Sequence, residues 1–392
     1  MPALDPRAIL DARPAGRPSV GVVVTIAVSS LCLLLALVMT SAEGPTFLEG
    51  LLLALVPLPL LLAGVLALDR LEPEPPDALV LAFLWGAGVS VLVAMGINTA
   101  GLTLLWTPLL GQEEGFVATA VLTAPVVEET LKGLVLVGML WFRRHELNGP
   151  TDGIIYGSMV GLGFATVENI HYYTVAGPEA LATTFVARGL LSPLVHPLCT
   201  SLTGIGIATA ALAPRGWSRV WPVLLGLLGA VTYHALWNAA PSYGLGPVVA
   251  VYLLGLAIVI GLLVVVRADR ARIVTLIGRH LPQYGPLGVV TLPDVVMLTS
   301  LTRRRRARAQ VRGVGGPGPA RAMRDYQQAA TELALLHQRA GAQRDLDPHG
   351  LEQQRQYLVW VMQQARAAFV ARLPQPPASP WGATGFRPPN QS

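Results

Sequence analysis

Three ionisable residues stand within five positions of a long apolar stretch, where they are expensive to bury. Glu128, Glu129 and Lys132 follow Pro125 in the run Ala-Pro-Val-Val-Glu-Glu-Thr-Leu-Lys. Insertion scales give a cost of about 2.5–3.5 kcal/mol for a charged side chain at the centre of a membrane helix. On a helix Glu128 and Lys132 share one face, and Pro125 removes a backbone hydrogen bond and predicts a kink. An ion pair between helices would explain one glutamate and one lysine, but two glutamates beside a proline favour a functional site.

The next three apolar stretches carry polar residues at a similar depth. The first has Glu168 and Asn169 with Phe164 and His171 about one turn away on either side, the second has His196 with Arg188 two turns earlier, and the third has His234 and Asn238. Taken singly, an intramembrane histidine is more often a packed residue, and an asparagine is more often a helix–helix contact. Because the polar residues of four consecutive helices fall between mid-bilayer and the outer leaflet, we expect one shared, hydrated cavity.

Such a cavity would contain the groups that peptide-bond hydrolysis needs. These are an activated water, a proton donor for the leaving amine and a stabiliser of the oxyanion. Glu128 is the preferred general base, and Glu129 is its proton-sharing partner or general acid, because two carboxylates in a low dielectric cannot cheaply both ionise. Lys132 is a supporting residue that keeps the other carboxylate charged.

The remaining polar residues have expected roles in the same chemistry. Glu168 is a second carboxylate at the water site, and His196 is a proton donor or a ligand. His234 and Asn238, four positions apart on one helix face, are expected to stabilise the oxyanion. The supporting residues, besides Lys132, are Phe164 and Asn169.

A zinc site could be built from the same atoms. His196, His234 and Glu168 would bind the ion and leave one coordination position open for water. The sequence contains no HExxH motif, so zinc rests on residue type alone. Chemistry without a cofactor is favoured, and zinc remains the alternative.

The elements that position these residues are predicted to be membrane helices. Only 13% of the residues are charged and 53% are hydrophobic, whereas soluble domains have about a quarter charged residues. Apolar runs of about twenty residues can cross the bilayer as helices. The sequence predicts an all-α, polytopic membrane helix bundle of about eight transmembrane helices. They are expected at Val20–Thr40, Phe47–Leu68, Leu79–Ala100, Phe116–Phe142, Gly153–Val175, Ala180–Leu212, Trp217–Ala240 and Pro247–Val266.

Arginines mark alternate connections between these spans and predict the orientation. They precede span one or follow spans two, four, six and eight, at Arg7, Arg13, Arg17, Arg70, Arg143, Arg144, Arg215, Arg219, Arg267, Arg270 and Arg272. The other connections contain neither lysine nor arginine. By the positive-inside rule, a multi-pass protein of the plasma membrane with both termini in the cytoplasm is expected.

Several short motifs in the same order resemble those of PrsW-type intramembrane proteases. They are Glu-Glu-x-x-Lys at 128–132, Asp-Gly-x-x-Tyr-Gly at 152–157, Phe-x-x-x-Glu-Asn at 164–169, the His196 segment, His-x-x-x-Asn at 234–238 and Asp-Arg-x-Glu-Pro-Glu-Pro at 69–75. That family is similar to the CAAX-prenyl endopeptidase and bacteriocin-processing (CPBP) superfamily. The resemblance implies an intramembrane endopeptidase in which glutamates activate water while His and Asn form the oxyanion hole. Family descriptions often name a metalloprotease, which leaves the metal open.

The resemblance also implies partners. The expected substrate is a membrane-anchored protein or peptide, such as an anti-sigma factor or another regulator, cleaved in or near its membrane helix. The lipid bilayer is the second partner. A nucleic-acid partner is not expected, because the net charge is only +5 and the basic residues cluster at the ends of spans.

Four regions are expected along the chain. Residues 1–19 are a cytosolic segment, residues 20–266 are a transmembrane peptidase domain with its catalytic core at about 116–240, residues 267–373 are a cytosolic helical region, and residues 374–392 are a disordered Pro-rich tail. The helical region is predicted to contain a hairpin of Arg321–Arg339 and Leu351–Leu373. Apolar residues at helical spacing mark its first helix, namely Ala330, Leu333, Leu336 and Ala340.

Two other functions use the same features. A proton-coupled transporter would employ the buried carboxylates as a relay, but the sequence shows no internal repeat of the kind that many transporters have. A non-catalytic membrane scaffold acting through its C-terminal region would leave the buried polar cluster unexplained.

Overall fold

The protein is described here by a computed structural model that covers residues 19–68, 73–214, 216–342 and 348–370. Within these ranges the regular structure is helical throughout, without a strand. The predicted all-α class is therefore confirmed. Three sequence-based expectations lie wholly or mostly outside the described residues: the N-terminal segment, the first half of the 69–75 motif and the Pro-rich tail.

The first half of the bundle consists of helices interrupted by wider π-helical turns. The helices are α1 (Val20–Ser41), α2 (Phe47–Leu55), α3 (Leu58–Leu68), α4 (Pro76–Trp85), α5 (Val91–Gly101), α6 (Thr107–Leu110), α7 (Gln112–Ala118) and α8 (Ala124–Phe142). The π-helical turns are Gly86–Ser90, Leu102–Trp106 and Thr119–Thr123. The last of them lies directly before Pro125, where the sequence predicts a distortion because proline has no N–H to donate.

The second half begins with the 36-residue helix that carries Glu168 and Asn169. This helix and its successors are α9 (Pro150–Phe185), α10 (Val195–Leu212), α11 (Trp217–Ala239), α12 (Leu245–His280), α13 (Leu292–Leu298), α14 (Leu301–Gly315), α15 (Pro317–Ala342) and α16 (Pro348–Val370). A further π-helical turn, Val186–Leu191, separates α9 from α10.

Six segments of the described chain are long and apolar enough to cross a membrane. They are Val20–Ser41, Phe47–Leu68, Pro76–Leu110, Pro150–Leu212, Trp217–Tyr243 and Leu245–Tyr284. Many large apolar side chains on these segments, such as Leu60 and Leu104, are exposed, as contact with lipid requires. A polytopic membrane protein is thus confirmed.

The predicted span boundaries need three corrections. The third span is longer than Leu79–Ala100, because helical turns continue through π-helical geometry to Leu110. The fifth and sixth spans belong to one segment of 63 residues, in which Gly177 (φ 67°) makes the break expected at the connection 176–179. The fourth span is helical but is not among the six segments, since three ionisable residues reduce its apolar character. The number eight therefore stays a prediction.

Helix α9 is buried along most of its first six turns and packs on α10 through small residues. Gly153, Gly157 and Gly161 recur every four positions on the contact face. A Cβ at Gly157 would come 2.5 Å from the carbonyl oxygen of Thr200, and one at Gly161 would come 2.6 Å from that of His196. The two backbones approach closely only because these side chains are absent. This packing fixes the depth of His196 relative to the polar residues of α9.

The Asp-Gly-x-x-Tyr-Gly motif at 152–157 has a structural explanation. The Asp152 carboxylate accepts hydrogen bonds from the backbone N–H groups of Asn148 (2.6 Å) and Gly149 (3.0 Å), which caps the start of α9. The Tyr156 hydroxyl donates to Glu74 at 2.6 Å, so the motif is tied to the Pro-Glu-Pro end of the 69–75 motif. Neither Asp152 nor Tyr156 lines the cavity that is described below.

The described residues form two compact units. The first, the membrane unit, includes residues 19–273 and 338–342 of the described chain. The second unit includes residues 274–337 and 348–370, and it contains α15 as far as His337 and α16, which are the two helices of the expected hairpin. Its core includes Leu333 and Leu336 from the predicted apolar face, but Ala340 is exposed, contrary to expectation. Helices α13 and α14 were not predicted. The guanidinium of Arg304 on α14 is buried and donates to Leu298 O and Thr331 Oγ1, both at 2.8 Å.

Candidate active site

A cavity of about 570 Å³ lies among α5, α8, α9, α10 and α11 of the membrane unit. Five of the six predicted catalytic residues line it, namely Glu128, Glu168, His196, His234 and Asn238. The sixth, Glu129, lies behind the cavity wall with no exposed surface. The structure therefore brings the predicted residues of four helices to one place.

Lys132 is the centre of the polar cluster. Its ammonium Nζ lies 2.8 Å from Glu129 Oε1, 3.3 Å from Glu128 Oε2 and 2.9 Å from His196 Nδ1. The same nitrogen sits 3.7 Å from the centroid of the Phe164 ring, close enough for a cation–π contact. Lys132 is fully buried, so its three donors and its charge are satisfied entirely within the protein.

The hydrogen bonds of His196 define which of its ring nitrogens is protonated. An ammonium can only donate, so Nδ1 must accept from Lys132. The Nε2 atom lies 2.8 Å from Glu168 Oε2, and as the protonated nitrogen it donates to that carboxylate. Both nitrogens of His196 are thus engaged. The proton of its imidazole points at Glu168.

His234 is held from behind by Glu129. Nδ1 of His234 lies 3.0 Å from Glu129 Oε1, and the other oxygen of Glu129 accepts from the Thr200 hydroxyl at 3.2 Å. With Nδ1–H directed at Glu129, Nε2 of His234 is directed toward Glu128, whose Oε2 is 3.9 Å away. This arrangement favours Glu129 as a positioning residue for His234 and Lys132. Glu129 does not line the cavity, so this position does not favour the expected role of general acid at the substrate.

Glu168 is paired with Arg188 from the π-helical turn that follows α9. The Arg188 guanidinium forms an ion pair with Glu168, donates to Asn169 Oδ1 at 2.9 Å and stacks 3.8 Å from the Tyr172 ring centroid. Asn169 therefore supports the site by holding Arg188. The sequence places Arg188 close to the cluster, but nothing in its spacing indicates these three contacts.

Asn238 interacts with a carbonyl group that Pro125 leaves without a helical partner. In the π-helical turn, Ala124 N–H donates to Thr119 O, which is five residues earlier. The next donor in that pattern would be Pro125, which has no N–H, so Ala120 O is left free. The Asn238 amide donates to this oxygen at 2.8 Å. One N–H of Asn238 is thus engaged in a helix–helix contact, and its role in an oxyanion hole remains a prediction.

Sequence reasoning missed two polar contacts of the candidate base and its partner. Asn98 on α5 donates to Glu128 Oε1 at 3.3 Å, and the Thr200 hydroxyl donates to Glu129. In the sequence, Asn98 is an isolated amide in an apolar stretch. That isolation is the one sequence feature that could indicate its contact with Glu128. Thr200 lies one turn after His196 and so shares its helix face, but hydroxyl groups are common in membrane helices.

Two groups of possible metal ligands occur in the described residues. They are Glu128 with His196 and His234, and Glu129 with Cys199 and His234, with ligand atoms within 4.8 Å of one another. The predicted zinc set contained Glu168 in place of Glu128. Glu168 is instead bound by Arg188 and His196.

The position of Lys132 opposes a divalent ion in the first group. Zinc bonds to nitrogen and oxygen are about 2.0–2.2 Å long. An ion bound to Glu128 and His196 would lie close beside an ammonium that already contacts both residues at 3.3 and 2.9 Å. In the second group, Glu129 and Cys199 do not line the cavity, so that site offers no open position for a water. These donor sets, as arranged here, do not fit a catalytic metal.

The fold and the cluster define the class of protein, which is a polytopic helical membrane protein with carboxylates, imidazoles and an ammonium around an internal cavity. Comparison with known proteins identifies the family that it resembles. Residues 74–266 match the family model described as "PrsW family intramembrane metalloprotease". This region is therefore similar to the PrsW family, and the resemblance drawn from the motifs is confirmed.

The curated relatives are proteins named "Protease PrsW". The one from Geobacillus kaustophilus (strain HTA426) is 32% identical over 151 residues, which are 38% of this chain and 60% of the relative. The one from Clostridioides difficile (strain 630) is 29% identical over 157 residues, 40% of this chain and 64% of the relative. The chain thus spans about three-fifths of the length of these relatives. No solved structure matches this chain.

Proposed function

We propose that this chain is an intramembrane endopeptidase that hydrolyses a peptide bond of a membrane-anchored protein with a water activated by Glu128. The observation that carries the proposal is the asymmetry of the two glutamates. Glu128 lines the cavity, whereas Glu129 is buried behind it and holds Lys132 and His234. One carboxylate is thus available to react, and the other orients its neighbours. The relatives named as proteases support the same activity.

The proposed reaction assigns one proton transfer to each step. As the water oxygen bonds to the carbonyl carbon, Glu128 takes one of its protons. Collapse of the tetrahedral intermediate breaks the C–N bond, and the proton passes to the leaving amine. Nε2 of His234 faces Glu128 across 3.9 Å, so His234 can hold or relay that proton and stabilise the oxyanion when protonated.

The formal charges of the cluster support a single shared proton. Glu128, Glu129 and Glu168 contribute three negative charges, and Lys132 and Arg188 contribute two positive charges. The difference, 3 − 2, is one negative charge in a buried site. One proton shared by Glu128 and His234 makes the cluster neutral, which is the inexpensive state away from water. A cluster with one mobile proton is suited to acid–base work.

Lys132 supports the proposal that no metal is required. It supplies a fixed positive charge beside Glu128 and Glu129, where a metalloenzyme would have its ion. The matching family is described as metalloproteases. The proposal concerns only the possible metal ligands of this chain, which are Glu128, Glu129, His196, Cys199 and His234.

The proposed substrate enters from the bilayer. The cavity wall on α5 and the turn after it contains an apolar strip formed by Val91, Ala94, Met95 and Leu102, beside the polar residues Asn98 and Thr99. An extended segment of a membrane-anchored regulator, such as an anti-sigma factor, would contact this wall with its apolar side chains. A transporter is not favoured, because the comparisons give proteases.

The decisive experiment uses the full-length chain reconstituted in lipid nanodiscs. We expect it to cleave a set of transmembrane peptides, with Glu128→Gln inactive at equal protein load. Comparison of membrane proteomes from cells with wild type and with Glu128→Ala should reveal the physiological substrate. If the wild-type chain cleaves nothing in either assay but transports protons in proteoliposomes, the proposal is wrong.

The proposed orientation in the plasma membrane has both termini in the cytoplasm. It rests on the arginine-bearing connections, some of which lie outside the described residues. A reporter fused after Val266 should be active only when the reporter functions in the cytoplasm. Activity of a reporter that functions only outside the membrane would overturn the orientation without affecting the proposed chemistry.

A further inference from the structure

Asn98 on α5 lies beside the candidate base and belongs to none of the motifs. Its side chain lines the catalytic cavity, and its Nδ2 donates to Glu128 Oε1 at 3.3 Å. The residue is outside the core at 116–240 that the sequence predicts. It therefore introduces a fifth helix into the reactive part of the cavity.

The other end of the same amide has no partner in the described part of the chain. The Oδ1 atom of Asn98 is buried, yet no donor lies within hydrogen-bonding distance of it. Buried acceptors are nearly always satisfied, and the exceptions mark a bound water, a ligand or strain. This acceptor has almost no accessible surface and lies beside Glu128 at the cavity wall, so a water bound at that carboxylate would reach it after a small shift of the amide.

We propose that Asn98 positions the attacking water for Glu128. The water donates one O–H to the Glu128 carboxylate and the other to Asn98 Oδ1, which leaves its lone pairs directed away from both acceptors. When the water oxygen bonds to the substrate carbonyl carbon, Glu128 takes the first proton and the second stays on the new hydroxyl. The Nδ2 donor of Asn98 meanwhile keeps the Glu128 carboxylate in the required rotamer. This inference rests on the proposed peptidase function.

A purely structural role for Asn98 makes different predictions. If the amide only joins α5 to α8, then its loss would affect the stability of the bundle, and Oδ1 would have no reason to lie unpaired at the cavity. Thr103 offers a matched control, because it is polar, follows α5 in the next π-helical turn, lies outside the cavity lining and donates to the backbone carbonyls of Thr99 and Ala100. No hydrogen bond of its side chain to Glu128 occurs among the described contacts.

The test compares N98L, N98D and T103V with wild type in the same nanodisc cleavage assay, after a thermal melt of each. We expect N98L to lower kcat by about tenfold to a hundredfold with KM nearly unchanged, because water orientation and not substrate binding is lost. T103V should cleave like wild type. A protonated carboxyl has one donor and one acceptor like the amide, so N98D should work only while it shares a proton with Glu128. The alkaline limb of its pH profile should therefore move to lower pH.

Several results would overturn the inference. One is a kcat of N98L within twofold of wild type, another is a loss confined to KM, and a third is an N98D profile with unchanged limbs. If N98L does not fold, then the nearly isosteric N98D profile decides alone. An inactive wild-type chain would instead refute the proposed function, so the two failures are distinguishable.

Discussion

The ammonium of Lys132 lies 2.9 Å from Nδ1 of His196, across the contact between α8 and α10. Because the lysine can only donate, this contact places the imidazole proton on Nε2, where Glu168 accepts it. His196 therefore has a partner at each ring nitrogen, and His234 is the imidazole with a nitrogen directed at Glu128, the proposed base. The contact between Lys132 and His196 therefore explains why the two histidines differ in their hydrogen-bond partners.

The two glutamates should respond differently to the same substitution. Glu128→Gln is expected to abolish cleavage and leave the melting temperature nearly unchanged, because Lys132 keeps Glu129 as its closer partner at 2.8 Å. Glu129→Gln is expected to destabilise the protein, since breaking a buried ion pair costs about 3–5 kcal/mol. Cleavage assays and thermal melts of both variants check the contrast.

The structural explanation of Glu128 has its own test. If Glu128 were mainly half of an ion pair with Lys132, Glu128→Gln would unfold the protein, and the double variant with Lys132→Met would restore it. Recovery of both folding and cleavage in that double variant would end the catalytic interpretation of Glu128.

Cleavage should survive prolonged treatment with chelators. The reason is the position of Lys132, whose charge stands where a divalent ion would contact Glu128 and His196. Metal analysis of the purified chain should find zinc below one equivalent, and a zinc peptidase treated in parallel should lose its activity. Stoichiometric zinc that disappears in His196→Ala or His234→Ala would make the protein a metalloprotease.

Part of this site could be predicted from sequence spacing. Glu128 and Lys132 are four residues apart, so a shared helix face is assured, and proline before them predicts the distorted turn. The contact of Lys132 with Glu129 is the shorter one, however, at 2.8 Å against 3.3 Å. A spacing of three residues and a spacing of four both permit an ion pair with Lys132. Which glutamate forms the shorter pair depends on packing, because His234 and Thr200 also bond to Glu129.

The missed features depend on packing between helices distant in sequence. Arg188 reaches Glu168 only because the π-helical turn Val186–Leu191 directs it back toward α9. Asn98 meets Glu128 because α5 packs against α8, and no periodicity within α5 encodes that neighbour. Likewise, the helix face that Asn238 shares with His234 predicts a role at the oxyanion, while the contact of Asn238 with Ala120 depends on a proline distant in sequence.

The packing of α9 on α10 gives a stability prediction. A Cβ at Gly204 would overlap the backbone of Gly153, so Gly204→Ala should separate the helices and destabilise the protein by about 1–3 kcal/mol. Cleavage should fall as well, because α10 positions His196. Gly138→Ala is the matched control, since no atom lies within 4 Å of its added Cβ. Thermal melts in one detergent should give a lower melting temperature for Gly204→Ala than for Gly138→Ala. Equal melting temperatures would contradict the close approach of α9 and α10.

The second unit should lose stability in mild acid through His337. The Tyr284 hydroxyl lies 2.7 Å from Nε2 of His337 and donates to it when the ring is neutral. Burial first, and then the neighbouring His280 and Arg355, lower the pKa of His337 below its ordinary value of 6.5. The unfolded chain therefore binds this proton more readily than the folded one. The contribution to stability is complete above pH 6.5 and is lost as the pH falls through the lowered pKa.

Amide hydrogen exchange of α15 in the full-length chain, corrected for intrinsic rates, measures this effect. Protection should fall in wild type as the pH drops below about 6.5, and the fall should be smaller in His337→Gln, whose amide oxygen accepts from Tyr284 without titrating. His349→Gln, at the start of α16, is the control and should keep the wild-type dependence. If His337→Gln loses protection at acid pH as steeply as wild type does, another group carries the dependence. If it loses protection at every pH, the histidine acts through packing and not through its charge.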